Sequence, residues 1–186
     1  MLALQGAFRE HREVLDALGV DTVEVRTPSG LAGLDAIVLP GGESTTMQRL
    51  LDTSGVRAPL TEAIGAGLAV LGTCAGAIVL GREVLDGRPD QVPLGAIDIV
   101  TRRNAYGRQR ESFEADLTVA GLPGGPFPGV FIRAPVIESV GEAVEVLAEH
   151  NGRPVIARDG RVWVTTFHPE LASDLRLHER FLQEVA

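Results

Sequence analysis

An apolar run interrupted by two glycines around a single cysteine constrains the fold of this chain more than any other feature. Residues 68–80 are Leu-Ala-Val-Leu-Gly-Thr-Cys-Ala-Gly-Ala-Ile-Val-Leu. This pattern predicts a buried strand over residues 68–72 and a helix that starts at Ala75 and ends near residue 81. Gly72 and Gly76 would allow neighbouring backbone to approach the turn without Cβ clashes. The Gly-x-Cys-x-Gly spacing therefore predicts a nucleophile elbow, with the cysteine on a tight turn between strand and helix.

Apolar runs and helix-like stretches alternate along the first half of the chain, which is typical of an α/β fold with a mainly parallel sheet. Besides the elbow, we predict strands over residues 2–5, 21–26 and 36–39, and helices over residues 8–18, 44–52 and 59–66. Gly19 is expected at the C′ position of the first helix, and Ser44 is expected to cap the second.

Strand-like runs follow one another in the second half, separated by turns rich in glycine and proline. They are predicted over residues 96–101, 112–119, 130–133, 144–149, 155–158 and 162–167. Residues 121–129 are expected to form a loop, and residues 173–185 a final helix. We expect antiparallel additions to one mixed, mostly parallel sheet flanked by helices, with residues 1–186 forming a single domain.

Composition excludes several classes of function. The net charge of −8 argues against nucleic acid or an anionic membrane as the main partner. No apolar run reaches the roughly 18 residues of a membrane-spanning helix, and the first residues lack the pattern of a signal peptide. Cys74 is the only cysteine, and none of the 17 basic residues is lysine. Intramolecular disulfides, cysteine-rich zinc sites, Walker A loops and lysine Schiff bases are therefore excluded, and we expect a cytoplasmic protein without a metal or cofactor.

A nucleophilic cysteine requires a base, and the base requires an orienting group. His168 follows an apolar predicted strand, and the ends of strands are where sites assemble in α/β sheets. Glu170 lies two residues further on, so that an extended backbone would place both side chains on one side. Pro169 between them restricts the local φ angle. We therefore expect Cys74, His168 and Glu170 to act together, although each alone could be a packed or capping residue.

The other three histidines are expected at the surface. His11 is on the polar face of the first predicted helix, and His178 is among arginines and glutamates on the last. His150 precedes Asn151 and Gly152, a pair typical of a hairpin turn.

Acyl transfer also requires donors for a developing oxyanion. The elbow would supply the backbone N–H of Ala75. The glycine-rich turn after the strand at residues 36–39 could supply a second N–H from Gly42, or could be a simple turn.

Taken together, these motifs resemble the class I glutamine amidotransferases. The elbow (residues 72–76) and the Phe-His-Pro-Glu segment (residues 167–170) are general to that class. Further segments are similar to one family within it, the glutaminase subunits of pyridoxal 5′-phosphate synthase. These segments are residues 4–7 with 9–11, 39–47, 103–104 with 107–109, 112–116, 129–135 and 149–152.

The resemblance covers nearly the whole chain and implies a flavodoxin-like, three-layer fold. It implies that Cys74 attacks the side-chain amide of glutamine, releasing ammonia and then glutamate. It further implies that ammonia passes to a separate synthase subunit that builds the vitamin B6 cofactor, docked near Gln5. The family has several more residues before Leu2, so we expect either that the first strand is short here or that the true start lies upstream. The glutamine contacts that the resemblance implies are Gly42, Glu43, Ser44, Arg103, Ile132 and Arg133.

Two alternatives remain open at this point. The chain could be the glutaminase of another class I amidotransferase, such as imidazole glycerol phosphate synthase, although the Gly-Gly-Glu-Ser-Thr-Thr turn at residues 41–46 argues against it. It could also be a binding module on the same fold, with Cys74 as a redox-sensitive thiol.

Overall fold

The computed structural model of the chain describes residues 1–103 and 112–185. Within these residues the α-helices are α1 (Phe8–Ala17), α2 (Ser44–Thr53), α3 (Arg57–Gly65), α4 (Ala75–Leu80) and α5 (Arg176–Gln183). The strands are β1 (Ala36–Leu39), β2 (Ala69–Thr73), β3 (Glu83–Val84), β4 (Ile99–Arg102), β5 (Phe113–Leu117), β6 (Phe127–Phe131), β7 (Val136–Val140), β8 (Glu145–His150), β9 (Arg153–Asp159) and β10 (Val162–Thr165).

A mixed sheet of five strands forms the centre of the molecule, in the order β1-β2-β10-β9-β8. Strands β1, β2 and β10 are parallel, whereas β9 and β8 continue the sheet in antiparallel fashion. The turn between β8 and β9 contains Asn151 and Gly152, both with positive φ (52° and 71°), as the hairpin prediction requires. The expected α/β fold with a mixed sheet is thus confirmed.

The two faces of this sheet carry two separate apolar cores, because successive strand residues point to opposite sides. On one face Val70 and Val164 pack with buried residues of α2, α3 and α4. On the other face Leu71 and Trp163 pack with Phe181 and other buried residues of α1 and α5. The result is the three-layer arrangement of helices, sheet and helices that was expected.

The first two predicted strands are wrong as strands. Residues 2–5 and 21–26 form only one isolated parallel bridge, between Leu2 and Val25. The backbone N–H of Leu2 also donates to Val38 O at 2.9 Å, so the first residues lie between Val25 and the edge of β1. Too few residues pair on either side to form a continuous ladder, because Gly6 (φ 100°) turns the chain away at once.

The second half of the chain departs from the prediction in how its strands are grouped. Of its strands, β8, β9 and β10 join the central sheet, whereas β3-β4-β7 and β5-β6 form two further sheets among the described residues. Strand β7 was not predicted, since its pattern is half-exposed and follows Pro135 directly. The predicted loop at residues 121–129 is too long at its end, because β6 begins at Phe127.

The helices agree with the prediction apart from their ends. Gly19 has φ 73° and follows the C-cap Leu18 of α1, as expected. The predicted cap of α2 is wrong, because Glu43 is its N-cap and Ser44 is its first helical residue. The last helix is shorter than predicted and starts at Arg176. Across the described ranges, none of the helices has the length and apolar character needed to cross a membrane.

Candidate active site

Cys74 stands on a strained turn between β2 and α4. Its φ is 46°, a value that side-chain-bearing residues rarely adopt, and α4 begins at the next residue, Ala75. A Cβ at Gly76 would overlap the carbonyl oxygen of Leu39, and one at Gly72 would lie 2.9 Å from the carbonyl oxygen of Gly76. Glycine is therefore required on both sides of the cysteine, which agrees with the predicted elbow.

His168 and Glu170 meet through a short turn rather than through extended backbone. Residues Pro169–Leu171 form a 3-10 helix with His168 as its N-cap. His168 Nδ1 lies 2.7 Å from Glu170 Oε1, and its backbone N–H donates to Val130 O at 2.9 Å. The prediction that the two side chains share one side is right, but its reason is wrong, since the 3-10 turn brings them together.

The register of the central sheet brings His168 to the elbow. Strands β2 and β10 are parallel neighbours with Thr73 paired to Thr165, and Cys74 N–H donates to Thr165 O at 2.9 Å. Burial by itself would lower the pKa of His168. Hydrogen bonds and charge interactions with Cys74 and Glu170 outweigh it and raise the pKa of His168 to about 10. The imidazolium form of His168 is thus stabilised between the thiol and the carboxylate.

Glu170 remains a carboxylate although it is buried, with only 6% of its surface exposed. Burial by itself would raise its pKa, but His11 and then His168 hold the pKa of Glu170 well below its usual range. A carboxylate at this position can orient the His168 ring, leaving Nε2 of His168 for the thiol proton.

His11 and His178 are not at the surface, so the prediction for both is wrong. His11 is fully buried, with Nε2 lying 3.2 Å from Glu170 Oε2 and 3.0 Å from Thr73 Oγ1. Its Nδ1 lies 3.1 Å from Nε2 of His178, which is 1% exposed. His150 is partly buried against the Phe131 ring. His11 lies three residues after Phe8 and four before Leu15, so helical spacing places it on the apolar face of α1, a signal that the polar-face prediction missed. The sequence carries no signal that Glu170 would lie opposite it.

A small pocket of about 40 Å³ opens in front of the cysteine. Its lining brings together the elbow and all of the residues expected to contact glutamine. The Sγ of Cys74 lies 3.9 Å from the carbonyl oxygen of Ile132 at its inner wall. The lining residues are Gly42, Glu43, Ser44, Cys74, Ala75, Ile78, Arg103, Ile132, Arg133 and Pro135.

A network of polar side chains forms one wall of this pocket. Arg103 Nη2 donates to Glu43 Oε1 at 3.3 Å, and Arg103 Nη1 donates to Gln91 Oε1 at 3.1 Å. Gln91 Nε2 in turn donates to Ser44 Oγ at 3.1 Å. Sequence patterns did not point to Gln91, because it lies in an irregular segment with no motif of its own. The rest of the family-like segment that contains Arg103, residues 104 and 107–109, lies outside the described residues.

Gln5 lies behind the turn that carries Gly42. Its Oε1 accepts a hydrogen bond from Glu43 N–H at 2.8 Å, and the N–H of Ala7 donates to Gly41 O at 2.9 Å. The segment around Gln5 is therefore attached directly to the turn that lines the pocket.

The described part of the chain holds no group of three or more His, Cys, Asp or Glu side chains that could bind a metal ion. The chemistry that the arrangement offers is that of a thiol, an imidazole and a carboxylate in line, beside a polar pocket. This is the arrangement expected of a cysteine-dependent acyl-transfer enzyme.

Known structures define the class to which this fold belongs. A crystal structure described as a glutamine amidotransferase superposes with a TM-score of 0.93 at 51% identity, covering 99% of this chain and 96% of the other. The structure of PurLQS from Thermotoga maritima superposes with a TM-score of 0.72 at 15% identity, covering 100% and 96%, and supports the fold alone. The fold is that of the class I glutamine amidotransferases, as expected.

Sequence comparison identifies the family. The model of the SNO glutamine amidotransferase family matches residues 1–186, and this chain belongs to that family. It is 56% identical to pyridoxal 5′-phosphate synthase subunit PdxT of Deinococcus radiodurans, over 98% of this chain and 94% of the relative. It is 53% identical to the subunit of the same name from Thermus thermophilus, over 98% and 95%. The family expected from the motifs is confirmed, and the alternative of an imidazole glycerol phosphate synthase glutaminase is set aside.

Proposed function

We propose that the chain hydrolyses L-glutamine to L-glutamate and ammonia, with Cys74 as the nucleophile, His168 as the general acid and base, and Glu170 as the group that orients His168. Family membership makes the chain a glutaminase subunit of pyridoxal 5′-phosphate synthase, which supplies ammonia for vitamin B6 synthesis. The observation that carries the residue assignment is the strained cysteine at the elbow, in line with the His168–Glu170 hydrogen bond of 2.7 Å.

In the first half of the reaction, His168 Nε2 accepts the thiol proton and Cys74 Sγ forms a bond to the side-chain amide carbon of glutamine. Negative charge then develops on the amide oxygen, where the N–H groups of Ala75 and Gly42 would stabilise it. His168 returns its proton to the departing nitrogen, so that the C–N bond breaks and ammonia leaves. A γ-glutamyl thioester remains on Cys74.

In the second half, water attacks the thioester carbon while His168 takes a proton from that water. The C–S bond breaks, the proton passes to the sulfur, and glutamate leaves. Glu170 remains a carboxylate throughout, because its role is to hold the ring and stabilise the imidazolium that forms twice in each cycle.

The polar wall of the pocket suits the amino-acid end of glutamine. Glutamine carries an α-ammonium and an α-carboxylate, and the wall offers the carboxylate of Glu43 and the guanidinium of Arg103. Ser44 adds a hydroxyl beside them, while Ile132 and Arg133 border the opposite wall. These charges are arranged to hold the substrate by its amino-acid end while its amide reaches the sulfur.

The ammonia acceptor is proposed to be a synthase subunit bound near Gln5. Gln5 suits this role because its side chain touches Glu43, so that a protein docked there would adjoin the catalytic turn. The proposal treats residues 1–186 as one glutaminase domain. It also places the protein in the cytoplasm, where reducing conditions would keep the lone thiol of Cys74 free.

The proposed function is tested by measuring glutamate release from glutamine, with and without the synthase subunit, for the wild type and Cys74→Ala. We expect the alanine variant to lose a factor on the order of 10³ or more in kcat. Arg12→Gln, an exposed change on α1, serves as the matched control and should behave as the wild type. Equal rates for wild type and Cys74→Ala would overturn the assignment. Slow alkylation of Cys74 at all pH values would instead support a non-catalytic thiol.

A further inference from the structure

Two buried histidines, His11 and His178, lie behind the proposed triad on the side of Glu170 that faces away from His168. The carboxylate of Glu170 uses Oε1 for His168, and its other oxygen, Oε2, faces His11 Nε2 at 3.2 Å. Both of these side chains are fully buried. This second contact is not aligned as a hydrogen bond, so Oε2 has no aligned donor within the described residues. A buried carboxylate oxygen without a donor is costly, and His11 is the group placed to supply one.

The proton positions along this line follow from which atoms lack a partner. The pKa of His178 is lowered to about 3, chiefly by burial, so His178 is neutral near pH 7 and carries one ring proton. Within the described residues, Nδ1 of His178 has no hydrogen-bond partner. Placing the proton on its Nε2 leaves no buried N–H unpaired and allows His178 to donate to His11 Nδ1 across 3.1 Å.

The same reasoning assigns the proton on His11. If Nε2 of His11 carried none, its lone pair would face the charged Oε2 of Glu170 between two fully buried side chains, which is electrostatically unfavourable. With the proton on Nε2, His11 donates toward Glu170 Oε2 and also toward Thr73 Oγ1, 3.0 Å away. Donation then runs in one direction, from His178 through His11 to Glu170.

We propose that His11 is a positioning residue for the catalytic triad, whose Nε2–H holds the second carboxylate oxygen of Glu170 while the first oxygen holds His168. The proposal rests on the proposed function, because it assumes that Glu170 orients the catalytic base. His11 is not among the residues that line the pocket, so its effect should fall on kcat rather than on the KM for glutamine. In this arrangement Glu170 is clamped at both oxygens, which fixes the rotation of its carboxylate and hence the plane of the His168 ring.

The matched pair of variants is His11→Gln and His11→Met. The two side chains have nearly the same length and volume, but only glutamine offers an N–H near the position of Nε2. We expect His11→Gln to keep kcat within about 5-fold of the wild type. His11→Met should lose about 10- to 100-fold, the usual cost of removing such a supporting partner, with the KM for glutamine changed less than about 2-fold.

A second readout separates positioning from packing. The rate of Cys74 alkylation by iodoacetamide, followed against pH on folded protein, reports whether His168 still supports the thiolate. The titratable groups that face His11 within the described residues are Glu170 and His178. The pH profile should be shifted in His11→Met and close to wild type in His11→Gln. Should His11→Met fail to fold, His11→Asn replaces it, because its shorter amide reaches toward His178 but not to Glu170.

Equal kcat losses in folded His11→Gln and His11→Met, with an unchanged alkylation profile, would overturn the proposal and leave His11 as a packing residue. Wild-type kcat in folded His11→Met would overturn it as well. Failure of the proposed function has a different signature, since wild type and Cys74→Ala would then release glutamate at the same rate whatever residue stands at position 11. All assays include the synthase subunit, so that the assembled enzyme is measured.

Discussion

The two sides of the His168–Glu170 pair are built from different kinds of environment. On the pocket side, Arg103 and Glu43 form an ion pair whose side chains are 20% and 46% exposed. On the buried side, the contact between His11 and Glu170 involves side chains with no exposure at all. Water can therefore screen charge on the pocket side, whereas on the buried side each charge must be balanced by a protein group.

This difference teaches where each kind of substitution should act. Partly exposed ion pairs contribute about 0–1 kcal/mol, so changes on the pocket side should alter substrate binding modestly. Removing one partner of a buried charged pair costs about 3–5 kcal/mol, so changes on the buried side should affect catalysis or folding strongly. The pocket side can adapt to an arriving charged substrate, while the buried side stays fixed.

The largest effect should come from Glu170→Gln, which keeps the shape of the side chain and removes its charge. We expect kcat to fall on the order of 10³- to 10⁴-fold, since the imidazolium of His168 would lose its stabilising carboxylate. The KM for glutamine should change less than about 3-fold. Steady-state glutamate release in the presence of the synthase subunit checks both values. A rise in KM with unchanged kcat would show that Glu170 acts in substrate binding, and would contradict the separation between the pocket side and the buried side.

We expect an effect of intermediate size on the free energy of unfolding when the pH is lowered, because of the buried histidine His178. The pKa of His178 is lowered to about 3 in the folded protein, chiefly by burial, and returns to about 6.5 on unfolding. A lowered pKa gives stability that is fully present above about pH 6.5 and is lost as the pH falls toward 3. The free energy of unfolding should therefore decrease by about 2–3 kcal/mol between pH 6.5 and 4.5, at about 1.4 kcal/mol per pH unit.

Urea unfolding at several pH values in that window measures this slope. His178→Gln is the control, because its amide nitrogen can still donate to His11 but does not titrate. We expect the slope to be clearly reduced in that variant. His168 contributes almost no slope well below pH 6.5, since its raised pKa keeps it protonated in the folded state and its ordinary pKa of about 6.5 keeps it protonated in the unfolded state. An unchanged slope in His178→Gln would show that the acid sensitivity comes from elsewhere.

The smallest effect should come from Gln91→Leu on the pocket side. Gln91 joins Ser44 to Arg103 by two hydrogen bonds, so its loss would leave both side chains less well placed for glutamine. We expect the KM for glutamine to rise about 5-fold, because a hydrogen bond to a charged group contributes about 1.5–3 kcal/mol and water can replace part of it. The value of kcat should stay within about 2-fold. A fall in kcat without a change in KM would contradict the separation of the two sides.

The parts of this molecule that could be predicted from sequence are those specified by local pattern. The glycine spacing around Cys74 identified the elbow, and apolar runs located β1, β2 and β10, whose ends carry the site. The residues expected to contact glutamine came from short segments that resemble one family, and all of them line the pocket. Such signals are local, and each is contained within about ten residues.

The rest could not be predicted because it depends on contacts between distant segments. His11 and Glu170 are 159 positions apart (170 − 11), and although the spacing of Phe8 and Leu15 indicates that His11 is buried, nothing in the sequence identifies its partner. The grouping of the later strands into three sheets likewise depends on long-range pairing, since each strand by itself would suit any of them. The segment around Leu2 is the opposite case: its sequence is typical of a strand, but too few backbone groups pair with it for a strand to form.

The strained backbone of Cys74 has a consequence for engineering this protein. A side chain at positive φ raises the free energy of the folded state by about 1–3 kcal/mol, a cost that glycine would avoid almost entirely. Glycine at position 74 would therefore be among the simplest ways to increase the heat resistance of the chain, and it would also remove the sulfur. A search for stabilised variants that selects only for resistance to heat would accept this change. Each round of selection therefore has to measure glutamine turnover as well.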